Sequence, residues 1–138
     1  MTPPTTKSAF YFRLDPRSGV PAYRQIIDQV LAGMASAALA PGDQLPTVRQ
    51  LAVDLTVNPN TVVRAYRELE IRGVLETQQG TGTFISQNKP KRDEVERERV
   101  MNQLAADVAA RAGQAGLTLS DLIARLKELQ AERKERSK

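Results

Sequence analysis

Two helical patterns separated by three residues constrain this chain more than any other feature of it. "TVRQLAVDL" (47–55) has one apolar face, made by Leu51, Ala52 and Leu55, and Thr47 with Gln50 three residues on has the spacing of a capping box. "NPNTVVRAYRELEIRG" (58–73) offers Asn58 as an N-cap, Pro59 at the first helical position, Val62, Ala65, Tyr66 and Leu69 as a buried stripe, and Gly73 as the stop. Only "TVN" separates the two. A connection that short between compact helices predicts a helix-turn-helix.

The flanking segments complete a unit around it. From Pro21, the residues Tyr23, Ile26, Ile27, Val30, Leu31 and Met34 recur at three and four, which predicts a helix over 21–38 ended by "APGDQLP" (40–46). "FYFRLDP" (10–16) alternates apolar and polar positions and predicts a short strand closed by the turn "DPRSG". After Gly73, "VLETQ" and "TFIS" flank "QGTG", a hairpin whose two glycines supply the unusual backbone angles of the tip. The fold class is therefore mainly α with a small β wing, a winged helix-turn-helix occupying residues 1–87.

Residues 88–93, within the polar "SQNKPKRD", read as a linker, and 94–138 as a C-terminal helical region. Val95, Met101, Leu104, Ala105, Val108 and Ala112 mark a fourth helix ending near "GQAG" (113–116), and Thr118 with Asp121 opens a fifth. Along the fifth, Leu119, Leu122, Leu126 and Leu129 step by three and four like a coiled-coil seam, with Ile123 beside them. Two helices alone cannot enclose a core, so their apolar faces need a partner. Leu104, Val108, Leu119, Leu122, Ile123, Leu126 and Leu129 are the expected dimerisation residues, and "AERKERSK" is expected to be a solvated helical end.

Composition removes most chemistry. With neither cysteine nor histidine there is no disulfide, thiolate metal site, cysteine nucleophile or imidazole acid/base, and the expectation is no cofactor, no metal and no enzymatic activity. Asp93, Glu94, Glu96 and Glu98 are interspersed with arginines and read as a solvated face. No apolar run approaches the roughly 20 residues of a membrane span, and "MTPPTTKSAF" lacks the layout of a secretion signal, so a cytoplasmic protein is expected. The net charge of +4 does not by itself identify an anionic partner, because residues 1–87 hold eight Lys/Arg against seven Asp/Glu while 88–138 hold twelve against nine.

The placement of individual side chains says more. With Val62, Ala65, Tyr66 and Leu69 turned inward, Asn60, Thr61, Arg64 and Arg67 face outward from the helix that, in a helix-turn-helix, enters the major groove of double-stranded DNA. Asn can pair with adenine, Arg with guanine or phosphate, and Thr with phosphate or a thymine methyl. Each residue also has an ordinary reading. Asn58 is needed as a cap with or without DNA, Arg64 and Arg67 suit any exposed helix, Arg49 could pair with Asp54, and Gly80 and Gly82 serve the turn.

"PGDQLPTVRQLAVDLTVNPNTVVRAYRELEIRGVLETQQGTGTFIS" (41–86) resembles the DNA-binding domain of the GntR family of bacterial transcription regulators, "FRLDPRSGVPAYRQI" resembles that family's N-terminal segment, and the two-helix tail resembles its YtrA-type subfamily. The resemblance implies that Arg49 touches a guanine or the backbone, that Asn60 and Thr61 contact the groove, and that Gly80, Thr81, Gly82 and Thr83 place a wing in the minor groove. Pro59 and Val63 stand where many members carry arginine, and Thr81 where a basic residue is common. The operator is expected to differ accordingly, with affinity resting on Arg49, Arg64 and dimerisation. The subfamily's short tail implies a homodimer on a palindrome with half-sites about 34 Å apart, and the expected role is that of a repressor. A small effector between the tail helices is left open. Two other readings are an architectural or accessory DNA-binding protein, which would lack the roughly 10³-fold preference for one site, and a winged helix that binds protein, indifferent to Arg64→Ala.

Overall fold

The computed structural model describes residues 10–87 and 93–136, with side chains as far as Ala131. The first nine residues, positions 88–92 of the expected linker, and the side chains of the expected solvated end lie outside that description. The order of elements is α1 (Ala22–Ala35), β1 (Gln44–Leu45), α2 (Val48–Leu55), α3 (Pro59–Ile71), β2 (Leu75–Gln78), β3 (Gly82–Ile85), α4 (Glu94–Gln114) and α5 (Leu119–Arg136). The chain divides into two compact units, one carrying α1 to β3 and the other α4 with most of α5.

In the first unit α3 is the hub. It packs on α1, on α2 and on β2, and its four inward positions, Val62, Ala65, Tyr66 and Leu69, are all buried as their spacing predicts. They meet Ile26, Ile27 and Val30 of α1 and Leu51 of α2 in one apolar cluster, the burial that drives a domain of this size to fold. The caps at α2 and α3 follow the sequence. Thr47 Oγ1 accepts the Gln50 amide at 3.0 Å, and Asn58 Oδ1 accepts the Asn60 amide at 2.8 Å with Pro59 in the first turn. The capping box is only half made, because the Gln50 side chain donates to Asp54 Oδ1 at 2.7 Å instead of returning to Thr47. Between the helices Thr56 takes a left-handed conformation, φ 57°, which a β-branched residue adopts at a cost and which turns the chain within the space available.

Three expectations are corrected. Residues 10–16 form no strand. The alternation is real, with Phe10, Phe12 and Leu14 half-buried and Tyr11, Arg13 and Asp15 exposed, but the partner is a pair of glutamine side chains instead of a strand. Gln29 accepts from the Arg13 amide at 2.9 Å and donates to its carbonyl at 2.6 Å, and Gln25 does the same for Asp15 at 2.8 and 3.0 Å. Each carboxamide thus replaces one rung of a ladder. Second, α1 stops at Ala35 and not at 38, because Ala37 is left-handed (φ 66°) and Leu39 folds back to donate its amide to Gly33 at 3.0 Å. That return buries Leu39 over Gly33, where a Cβ would stand 2.6 Å from Phe10, and leaves Met34 exposed at the surface. Third, the wing is a three-stranded antiparallel sheet, β1-β3-β2, since Gln44 and Leu45 pair with Phe84 and Thr83.

In the second unit Asp93 caps α4 by accepting the Glu96 amide at 2.8 Å. Gly116 (φ 76°) ends that helix, with the Leu117 amide donating to Ala112. The predicted capping box at α5 is complete: Asp121 donates its amide to Thr118 Oγ1 and accepts the Thr118 amide, both at 3.1 Å. Hydrogen bonds to the carboxylate from Thr118, first from its amide and then from its hydroxyl, hold the Asp121 carboxyl below the usual carboxylate range.

Candidate nucleic-acid interface

One face of α3 is committed to the core and the opposite face is free. Asn60, Arg64 and Arg67 share that outer face with Val63, Glu68, Ile71 and Arg72. The charges on it are not self-cancelling. Glu68 is held by Arg72 at 2.9 Å and Glu70 is engaged by Thr77, so among the described residues neither Arg64 nor Arg67 has a carboxylate partner. Arg64 instead lies over the ring of Tyr23, with Cζ 3.8 Å from the ring centroid. From Asn60 to Arg67 the rise is about 10 Å at 1.5 Å per residue, a span suited to successive base pairs along a groove.

The remaining expected residues sit on other elements. Arg49 is exposed in the first turn of α2 and makes no ion pair with Asp54, whose carboxylate is taken by Gln50. Asn58 spends its side-chain oxygen on the α3 cap, and Thr61 is half-buried one turn along. Gly80, Thr81, Gly82 and Thr83 form the wing tip and the start of β3, where Gly80 (φ 78°) and Gly82 (φ 135°) take the conformations the turn requires. Thr81 is exposed and Thr83 half-buried.

Two residues that sequence reasoning passed over shape this surface. In the sequence Tyr23 is only one member of the three-and-four repeat of the first helix, yet its ring carries Arg64. Gln44, inside a segment read as loop, donates from Nε2 to the carbonyl of Thr81 at 3.1 Å and so braces the wing tip against β1. A Cβ at position 82 would come within 2.5 Å of that nitrogen, so the brace in this position needs a glycine opposite it. Nothing local announces either contact, because both join elements far apart in sequence.

Among the described residues there is no group of three acidic or metal-ligating side chains placed to hold a metal ion, and no helix long and apolar enough to cross a membrane.

The family model of the bacterial regulatory proteins, gntR family, matches residues 22–85, the span from α1 to the end of β3. The HTH-type transcriptional regulator Rv1152 of Mycobacterium tuberculosis is 42% identical over 111 residues, covering 80% of this chain and 87% of that protein. This chain belongs to the gntR family. It is accordingly a DNA-binding transcription regulator and not an enzyme. The HTH-type transcriptional repressor YtrA of Bacillus subtilis is 50% identical over 76 residues, which are 55% of this chain and 58% of YtrA. A solved GntR family transcriptional regulator from Listeria monocytogenes superposes with a TM-score of 0.57 at 31% identity, covering 83% of this chain and 98% of that one. That likeness covers more of the chain than the span from α1 to β3.

Proposed function

We propose that this gntR-family chain is a homodimeric repressor acting in the cytoplasm, and that it occupies a palindromic operator. In this reading Asn60, Thr61, Arg64 and Arg67 of α3 meet base edges and phosphates in the major groove, and Arg49 grips the groove edge from α2. Asn58 holds the start of α3, and Gly80, Thr81, Gly82 and Thr83 carry the wing into the adjacent minor groove. The observation that carries it is the outer face of α3, where two arginines without carboxylate partners among the described residues stand beside Asn60 on a helix anchored by its other side. Roughly half to two-thirds of protein–DNA hydrogen bonds go to phosphate and sugar, and base edges supply the discrimination; this face offers groups for both.

Dimerisation is supported by the tail. Leu104, Val108, Leu119, Ile123, Leu126 and Leu129 are each between 39% and 57% exposed, and Leu122 is half-buried. Apolar side chains in such number on two helices are covered most economically by the same helices of a second copy. Repression is supported by the likeness to the transcriptional repressor YtrA of Bacillus subtilis.

The experiment is selection of bound duplexes from a random pool at physiological salt. One inverted repeat should be enriched, with a preference over bulk DNA of about 10³ or more; recovery of duplexes without any shared motif would overturn the reading.

A further inference from the structure

We propose that Tyr23 of α1 is a positioning residue for DNA recognition, a platform that holds the Arg64 guanidinium in place to read a base. The proposal rests on the docking of α3 argued above and adds to it a residue that lies outside the recognition helix.

Tyr23 is the second residue of α1, half-buried and packed against the core, so its ring is fixed by the fold before any DNA arrives. Arg64 is exposed on α3, and its Cζ lies over that ring at 3.8 Å from the centroid. A guanidinium lying over a ring spends its face on the contact and keeps its N–H edge free. That edge is the part that makes a bidentate hydrogen bond to guanine O6 and N7. Stacking and base reading therefore use different sides of one group and can coexist.

The contrast with the other arginines gives the arrangement its meaning. Among the described residues, neither Arg49 nor Arg67 has a ring, a carboxylate or a hydrogen-bond partner to order it. An unrestrained arginine loses rotamer freedom when it binds, a loss that tells against a contact demanding one geometry. A phosphate tolerates many approaches and a base edge few. Arg64, ordered in advance by Tyr23, is thus the base reader, whereas Arg49 and Arg67 suit phosphates.

The test compares Tyr23→Leu and Tyr23→Phe with Arg64→Ala and with the double variant Tyr23→Leu/Arg64→Ala. The probe is the duplex recovered by selection on the unaltered protein, together with its single-base-pair variants. Tyr23→Phe keeps the ring and should bind within twofold of the original. Tyr23→Leu should bind about two- to fivefold more weakly and relax preference at the same base pair that Arg64→Ala relaxes. In the Arg64→Ala background the leucine change should cost nothing further. Should leucine loosen the core, Tyr23→Met covers the same apolar surface without a ring and makes the same comparison.

A leucine loss that persists undiminished without Arg64 would make Tyr23 a structural tie between α1 and α3 and overturn the proposal. So would unchanged binding by Tyr23→Leu. Full-strength binding by Arg64→Ala would also overturn the proposal, since Arg64 would then read no base; the docking of α3 itself falls only if Arg49→Ala binds at full strength as well, which keeps the two failures distinct.

Discussion

The hydroxyl of Tyr66 donates to the carbonyl oxygen of Pro46 across 2.7 Å, joining the middle of α3 to the residue just ahead of the α2 N-cap. Tyr66 is otherwise buried, and burial pushes its phenol above the ordinary tyrosine range, so the donor stays protonated at any pH the protein meets. The bond sets where α2 begins relative to α3, and with it where Arg49 stands relative to Asn60 and Arg64.

Replacing Tyr66 by Phe removes the donor, leaves the Pro46 carbonyl without its partner and keeps the ring in the core. The variant should lose about 1 to 2 kcal/mol of stability in urea denaturation, with the denaturant dependence unchanged. A fully stable Phe variant would mean that solvent replaces the hydroxyl at Pro46.

Arg49→Ala and Arg64→Ala should each weaken operator binding by about 1 to 3 kcal/mol, measured by fluorescence anisotropy, while sedimentation shows the same oligomer as before. The changes remove exposed side chains and leave the core intact, so thermal midpoints should barely move. Normal affinity in both variants would dismiss the proposed docking.

Gln44→Ala releases the wing tip without altering any residue of α3. Protection of the minor groove flanking each half-site should fade in hydroxyl-radical footprints, and protection of major-groove guanines should persist. Loss of both together would mean that the brace supports the whole domain and not the wing alone.

Charged substitutions at Leu122 and Leu126 test the tail. Glutamate at either position should convert a dimer to monomers in sedimentation velocity, because an unpaired carboxylate in an apolar seam costs several kcal/mol. A persistent dimer would move the interface to another face.

What was legible in the sequence was local. The caps at Asn58 and Thr118, the stripe from Val62 to Leu69 and the glycines of the wing are each set by residues within one or two turns of one another, and each is found where its pattern predicts. What escaped was decided across the fold. Phe10, Phe12 and Leu14 alternate like a strand, but nothing near them reveals that Gln25 and Gln29 would take the place of a neighbour. Gln44 and Leu45 are too short a pair to read as a strand until β3 lies beside them. Ala37 ends α1 in a conformation alanine rarely adopts, for the sake of burying Leu39. The outward residues of α3 were likewise readable as a set, whereas the ring beneath Arg64 belongs to another helix and emerges only in three dimensions.

The most direct measurement of the central claim is the stoichiometry of the complex, by sedimentation equilibrium of the chain with its selected duplex and with a duplex carrying one half-site. A homodimeric operator-binding regulator should place two chains on the full inverted repeat and bind the half-site far more weakly. One chain per duplex, with equal affinity for the half-site, would contradict it.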